Sequence, residues 1–333
     1  LEEKYKMAIV NLLDLEKKGV SKKLKDYSML IVGESGIGKS ELALDIYGKD
    51  RTLALAFEDS YKGISGAYAV NVSNYSELMA YVSQLENPAM KEKFDTIIID
   101  TLYLLDHCIE KSITDSYGVE LLSDALEYNK AYKIVDTKFL SVLKRLQRAG
   151  YTLCYIAHPK EVKKKINGKE ITTYKAKVSN RVEDLLLSEL DIRLFCFVDE
   201  NGNRKIATKK NVYYDARCRV AEMPSIMDFD AEVLRKSFEK AINDKANKGE
   251  KIIDQIENDS KERTYEEDMA YIKEVLYPKI ESENKLSESG RIITKVLGRD
   301  NNGKPRTLKD VTPDMKGAID TLIVELEIML GMR

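Results

Sequence analysis

Apolar positions along the chain gather into short runs, separated by longer stretches in which they recur every three or four residues. Runs at 27–32, 52–57, 94–100, 151–157 and 192–198 have strand length and little polar alternation, the pattern of strands covered on both faces of a parallel sheet. A shorter strand is expected at 68–72. Helical periodicity is expected from Ser40 to the Gly48 stop, and again after Asn74, where Glu77 three residues on completes a capping-box pattern. A long helix is expected over about 124–149, with Val135, Phe139, Leu143 and Leu146 on one face and Gly150 as its stop. The polar, mixed stretch 107–123 contains Gly118 and reads as a loop. Strands alternating with helices predict an α/β fold with a mostly parallel sheet flanked by helices.

The pattern changes at both ends. Residues 1–22 read as an amphipathic helical arm, with Met7, Ile9, Val10, Leu12, Leu13 and Leu15 leaning to one side. Periodicity leaves open whether that face packs on its own core or on a neighbouring subunit. The chain opens on Leu1 rather than Met, which suggests a trimmed or renumbered start. Beyond Pro224 a helix starting near Asp228 carries Val233, Leu234, Phe238 and Ile242, and a Lys-rich stretch at 243–251 looks like a boundary. The rest is helical in character. Thr264 with Glu267 forms a capping box, and Thr312-Pro313 opens a helix running to Gly331. The expected organisation is therefore an arm (1–22), an α/β core (23–243) and a helical C-terminal region (244–333).

One loop organises the core. Gly33-Glu34-Ser35-Gly36-Ile37-Gly38-Lys39-Ser40 matches G-x-x-x-x-G-K-[ST] at every fixed position, with a strand before it and a helix after it. Such a turn presents consecutive backbone N–H groups to phosphates, and the positive end of the helix dipole adds to the attraction. In this pattern the lysine, Lys39, reaches the β- and γ-phosphates, and the hydroxyl, Ser40, ligates Mg²⁺. Asp100, closing an apolar run, is the natural second Mg²⁺ partner, so ATP and Mg²⁺ are the expected ligands. Glu58 lies 19 residues after Lys39 at the end of the next expected strand, placed to orient an attacking water, with Asp59 as its alternative.

Composition narrows the options. A net charge of −2 excludes a uniformly basic nucleic-acid binder, so any such surface must be local. No apolar run approaches the roughly 18 residues of a membrane span, and no signal-peptide pattern is present. Cys108, Cys154, Cys196 and Cys218 lie far apart with no C-x-x-C pair, which fits free thiols in a reducing cytoplasm. The local basic surface is the segment 160–181. It holds Lys160, Lys163, Lys164, Lys165, Lys169, Lys175, Lys177 and Arg181 against only Glu161 and Glu170, around a hairpin signal at Asn167-Gly168. Lysines there can track nucleic-acid phosphates and Tyr174 can stack on a base, or the segment is a solvated charged hairpin. A second hairpin is expected through Asn201-Gly202.

Together these features resemble a family. The octapeptide at 33–40, the strand-end Glu58, the run Ile97-Ile98-Ile99-Asp100-Thr101 and the strand ending in His158 look like a RecA-like P-loop ATPase. They look in particular like the phage-encoded Sak-type recombination ATPases that promote single-strand annealing, over roughly residues 23–225. AAA+ machines usually carry a glutamate directly after that aspartate, and here the position is Thr101, so the base must come from elsewhere. The resemblance implies ATP-dependent binding of single-stranded DNA by a homo-oligomer with nucleotide at its subunit interfaces, in a bacterial or phage-infected cytoplasm. It also implies that His158 senses the γ-phosphate and that a cation from the next subunit completes the site. Lys209, Lys210, Arg217 and Arg219 occupy the matching region, and Arg217 is the choice among them, because a guanidinium neutralises transferred charge bidentately. The C-terminal region could contact a single-strand-binding or replication protein. Two rival readings remain, a P-loop small-molecule kinase and an ATP-gated binding protein with little turnover.

Overall fold

The computed structural model describes residues 17–126, 130–166, 168–187, 190–254, 263–300 and 303–332. Two compact units divide the chain after Glu257.

The larger unit is built on a nine-stranded sheet. In chain order its first members are β1 (Met29–Gly33), β2 (Thr52–Ala56), β3 (Tyr68–Asn71), β4 (Thr96–Asp100) and β5 (Thr152–Ala157). A separate antiparallel hairpin follows, β6 (Pro159–Ile166) with β7 (Lys169–Ala176). The sheet then resumes with β8 (Ile192–Val198), β9 (Arg204–Ala207), β10 (Arg217–Cys218) and β11 (Ile226–Asp228). Spatial order is β11-β9-β8-β1-β5-β4-β2-β3, with β10 also paired to β8. The stretch from β8 to β3 is parallel, while β9, β10 and β11 run antiparallel at one side.

The unbroken apolar runs follow from two cores, one on each face of the sheet. Leu30, Val32, Ile97 and Ile99 point into the first core with helices α2 (Tyr75–Leu85), α3 (Leu102–Tyr117) and α4 (Lys130–Arg148). Met29, Ile31 and Ile98 point the other way, against α1 (Lys39–Tyr47) and α5 (Ala231–Asn247). Both faces of each central strand are therefore dry, and polar alternation has no place in them.

Several expectations need revision. The stretch 107–123 is mostly helix, because Leu102, Leu105, Ile109 and Ile113 form a buried stripe and its polar residues are simply the solvent face. Gly118 caps that helix in the left-handed region (φ 66°) instead of marking a loop. The expected helix at 124–149 is two pieces, Leu122–Ala125 and α4, separated at Leu126, which is extended. Residues 1–16 of the expected arm lie outside the described residues. The arm's described end is extended, with Val20–Ser21 pairing in parallel with Ile252–Ile253. The boundary expected at 243/244 falls inside α5, whose Phe238 meets Tyr27 edge-on at 5.2 Å.

Within the smaller unit, Thr264 and Glu267 form the expected capping box. Its helices close over Tyr271, Leu276, Ile319, Leu322 and Leu326. Among the described residues no helix is long and apolar enough to cross a membrane.

Candidate active site

The parallel strands deliver their C-terminal ends to one edge of the sheet, where ligands of open α/β folds bind. β1 runs straight into the glycine-rich loop. Gly33 sits so close to β8 that a Cβ there would lie 2.9 Å from the Cys196 carbonyl oxygen, so only glycine lets the two strands approach. Gly38 has φ 101°, a conformation that turns the loop into the first turn of α1. Lys39, the first residue of that helix, is 6% exposed. Its Nζ donates to the Glu34 carbonyl at 2.9 Å, and burial lowers the ammonium pKa against the opposing pull of Asp100 and Glu58.

Ser40 Oγ donates to Asp100 Oδ2 at 2.7 Å. Asp100 ends β4 and is 2% exposed, and burial raises its pKa despite the bond from Ser40. The hydroxyl and carboxylate are hard oxygen donors, and Mg²⁺ takes one or two carboxylates plus phosphate and water, so the pair suits that ion. Groups of three or more His, Cys, Asp or Glu able to hold a metal by themselves do not occur among the described residues.

Glu58 follows β2, one strand over. Its Oε1 lies 3.3 Å from His158 Nε2 and 3.5 Å from Thr101 Oγ1, which donates to it. The carboxylate is thus held by the residue just after β5 and by the residue next to Asp100. Asp59 turns outward to Lys62 (2.7 Å) and Asn71 (3.2 Å), and the bond from Lys62 lowers its pKa, so it takes no part in this cluster. Lys39, Ser40, Asp100, Glu58 and His158 are therefore brought together from four strands.

Two residues at this edge escaped the sequence reading. Ser60 Oγ approaches Asp100 Oδ2 at 3.4 Å. The Tyr61 hydroxyl is buried near Asp100 and Ser40 without completing a hydrogen bond, and burial raises its pKa well above the ordinary phenol value. The only sequence signal for either was closeness to Glu58. Arg204 also reaches the loop, with Nη1 donating to the Ile37 carbonyl at 3.1 Å. It comes from 167 positions further along, and nothing in its local sequence singled it out.

Arg217 lies elsewhere. It pairs opposite Arg193, one residue from the Ile192–Met29 register, whereas Cys196 pairs with Gly33. That places it at the end of the sheet away from its own loop.

The basic hairpin forms, with β6 and β7 paired from Pro159 opposite Ala176 to Ile166 opposite Lys169, while Asn167 of the expected turn lies outside the described residues. Only part of the hairpin's charge faces outward. Arg181 is bound to Asp106 (3.2 Å) and Asp136 (2.7 Å) and also pairs with Glu110. Lys175 and Lys160 converge on Glu183 at 2.6 and 3.7 Å. Lys177 lies over the Tyr103 ring at 5.0 Å. Tyr174, the ring expected to stack on a base, is half-buried and packs against Phe195 and Tyr214. Lys163 pairs with Glu170 at the exposed tip, and Lys164, Lys165 and Lys169 form no ion pair among the described residues. The segment 211–215 joins β7 through bonds from Tyr174 N to Tyr213 O (2.6 Å) and from Asp215 N to Tyr174 O (3.1 Å). This leaves the Tyr213 ring 55% exposed beside the hairpin.

A phosphate loop on a parallel sheet, a hydroxyl–carboxylate pair beneath it and a held glutamate beside it define a P-loop nucleotide-binding domain of the AAA type. The family described as AAA domain is matched by residues 25–220, more than half of the chain, and the chain belongs to that family. It is also similar to the SPbeta prophage-derived uncharacterized protein YorG of Bacillus subtilis (strain 168), at 25% identity over 297 residues. The match covers 84% of this chain and 88% of that protein.

Proposed function

We propose that the protein hydrolyses ATP and couples turnover to single-stranded DNA, in phage-type annealing or recombination. The observation that carries the ATPase reading is Glu58, held between His158 and Thr101 beside the Ser40–Asp100 pair. In this reading the loop 33–40 binds the phosphates and Lys39 neutralises the β/γ end. Ser40 and Asp100 would hold Mg²⁺, which would supply charge neutralisation to the phosphates. Glu58 accepts a hydrogen bond from the attacking water. The water oxygen forms a bond to the γ-phosphorus as the bond from that phosphorus to the β–γ bridging oxygen breaks and ADP leaves, and the water's proton passes to Glu58 or to the phosphate being released. His158 begins the connection to the hairpin, so a ligand on the hairpin can change how tightly Glu58 is held. Stimulation of phosphate release by added single-stranded DNA is the expected result. A rate indifferent to DNA would remove the coupling while leaving the ATPase standing.

For the DNA itself, the outward lysines and exposed Tyr213 form the contact surface. Replacing Lys163, Lys164 and Lys165 together by Ala is expected to weaken binding equally across sequences. If each contacts a phosphate, the slope of log affinity against log salt becomes shallower by about 2 units, at roughly 0.7 per contact. Fluorescence anisotropy of labelled strands at several salt concentrations measures this, and an unaltered slope would reduce the hairpin to a solvated face.

The similarity to a prophage protein supports a phage setting. The position of Arg217 away from its own loop supports an assembly in which it serves a neighbour's nucleotide. Mixing inactive Arg217→Ala and Lys39→Ala subunits is expected to restore ATPase activity in part, because hybrid interfaces unite an intact loop with an intact arginine. A monomer by light scattering under all nucleotide and DNA conditions would overturn the assembly. Contact of the C-terminal unit with a single-strand-binding or replication protein belongs to the same proposal.

A further inference from the structure

The groups that would act on the γ-phosphate all lie to one side of β1. His158 follows β5, Asp100 ends β4 with Thr101 just after it, and Glu58 follows β2. On the other side β8 intervenes and then β9, whose first residue is Arg204, paired opposite Val198 beyond the level at which Cys196 meets Gly33. The Arg204 guanidinium stacks on the Phe229 ring at 4.8 Å while Nη1 donates to the Ile37 carbonyl. The Phe229 backbone N–H donates to the Arg204 carbonyl at 3.1 Å, so main chain and side chains hold the two residues together. Phe229 is pinned between β11 and Asp230, the N-cap of α5. Both side chains press on the last loop glycine. A Cβ on Gly38 would lie 3.1 Å from Arg204 Nη1 and 3.4 Å from the Phe229 ring. Arg204 has no carboxylate ion pair among the described residues, and the residue is exposed.

A triphosphate whose γ end points towards Asp100 and Glu58 must carry its nucleoside out on the opposite side of the loop. There the chain offers a flat cation already backed by an aromatic ring. We propose that Arg204 and Phe229 form the nucleoside wall of the site, the guanidinium stacking on the base of the bound nucleotide with Phe229 holding it flat. This rests on the ATP-binding reading above.

The test separates nucleoside from phosphate. Binding of ATP and of inorganic tripolyphosphate, each with Mg²⁺, is measured by calorimetry for the full chain and for Arg204→Ala, Arg204→Lys, Phe229→Leu and Lys39→Ala. Loss of a stacked base weakens binding about ten- to a hundredfold. Arg204→Ala is therefore expected to lose that much affinity for ATP while binding tripolyphosphate within about twofold of the unmodified protein. Arg204→Lys keeps the charge but not the plane, and Phe229→Leu keeps apolar bulk but not the ring. Both are expected to follow Arg204→Ala, and these milder changes cover the case in which the alanine variant misfolds. Equal losses for the two ligands, or none for either, would overturn the nucleoside wall. An unmodified protein that binds neither ligand would instead remove the nucleotide reading itself, and Lys39→Ala should lose both.

Discussion

Lys39→Ala is expected to lose ATP binding by on the order of a hundredfold or more, the worth of a charge-assisted contact to phosphate. The reason lies in where the ammonium sits. It is 6% exposed, its pKa is lowered by burial, and its Nζ bond is to a neutral carbonyl, that of Glu34. A buried cation without a paired anion is costly, and a phosphate reaching Nζ would offset that cost with charge-assisted hydrogen bonds. Alanine removes the charge while remaining a good first-turn helix residue, so the fold should persist. Calorimetry on a variant with unchanged circular dichroism checks this. Unchanged affinity would mean that the loop does not bind phosphate.

Glu58→Gln is expected to separate binding from chemistry. The amide keeps the size of the carboxylate and can still bond to His158 and Thr101, but it cannot take a proton from water. Hydrolysis should fall by roughly 10²- to 10⁴-fold, the usual contribution of a positioned base, while ATP affinity changes little. Single-turnover phosphate release against equilibrium binding measures the two effects separately. Turnover at the unmodified rate would exclude Glu58 as the base. Asp59, already tied to Lys62 and Asn71 on the exposed side, would be a poor substitute.

The phosphate loop and the α/β class could be read from local pattern, because both are short-range properties. The octapeptide carries its own backbone geometry, and apolar runs of strand length require a sheet covered on both faces. Asp100 and Glu58 were readable for the same reason, each closing such a run. The helix α3 was missed because its stripe of Leu102, Leu105, Ile109 and Ile113 is diluted by polar residues, and burial rather than composition decides helix from loop there. What pattern could not supply was partnership across the chain. That His158 meets Glu58, 100 positions earlier, depends on the order of the strands. So does Arg204 reaching the loop, which required β8 to lie beside β1 and β9 to turn back along it. The basic hairpin shows the same limit from the other side. Its charges can be counted in the sequence, but Arg181, Lys175 and Lys160 meet their carboxylates only once the chain is folded. An aromatic ring has no exposure until its neighbours are in place, which is why Tyr174 is packed and Tyr213 is open.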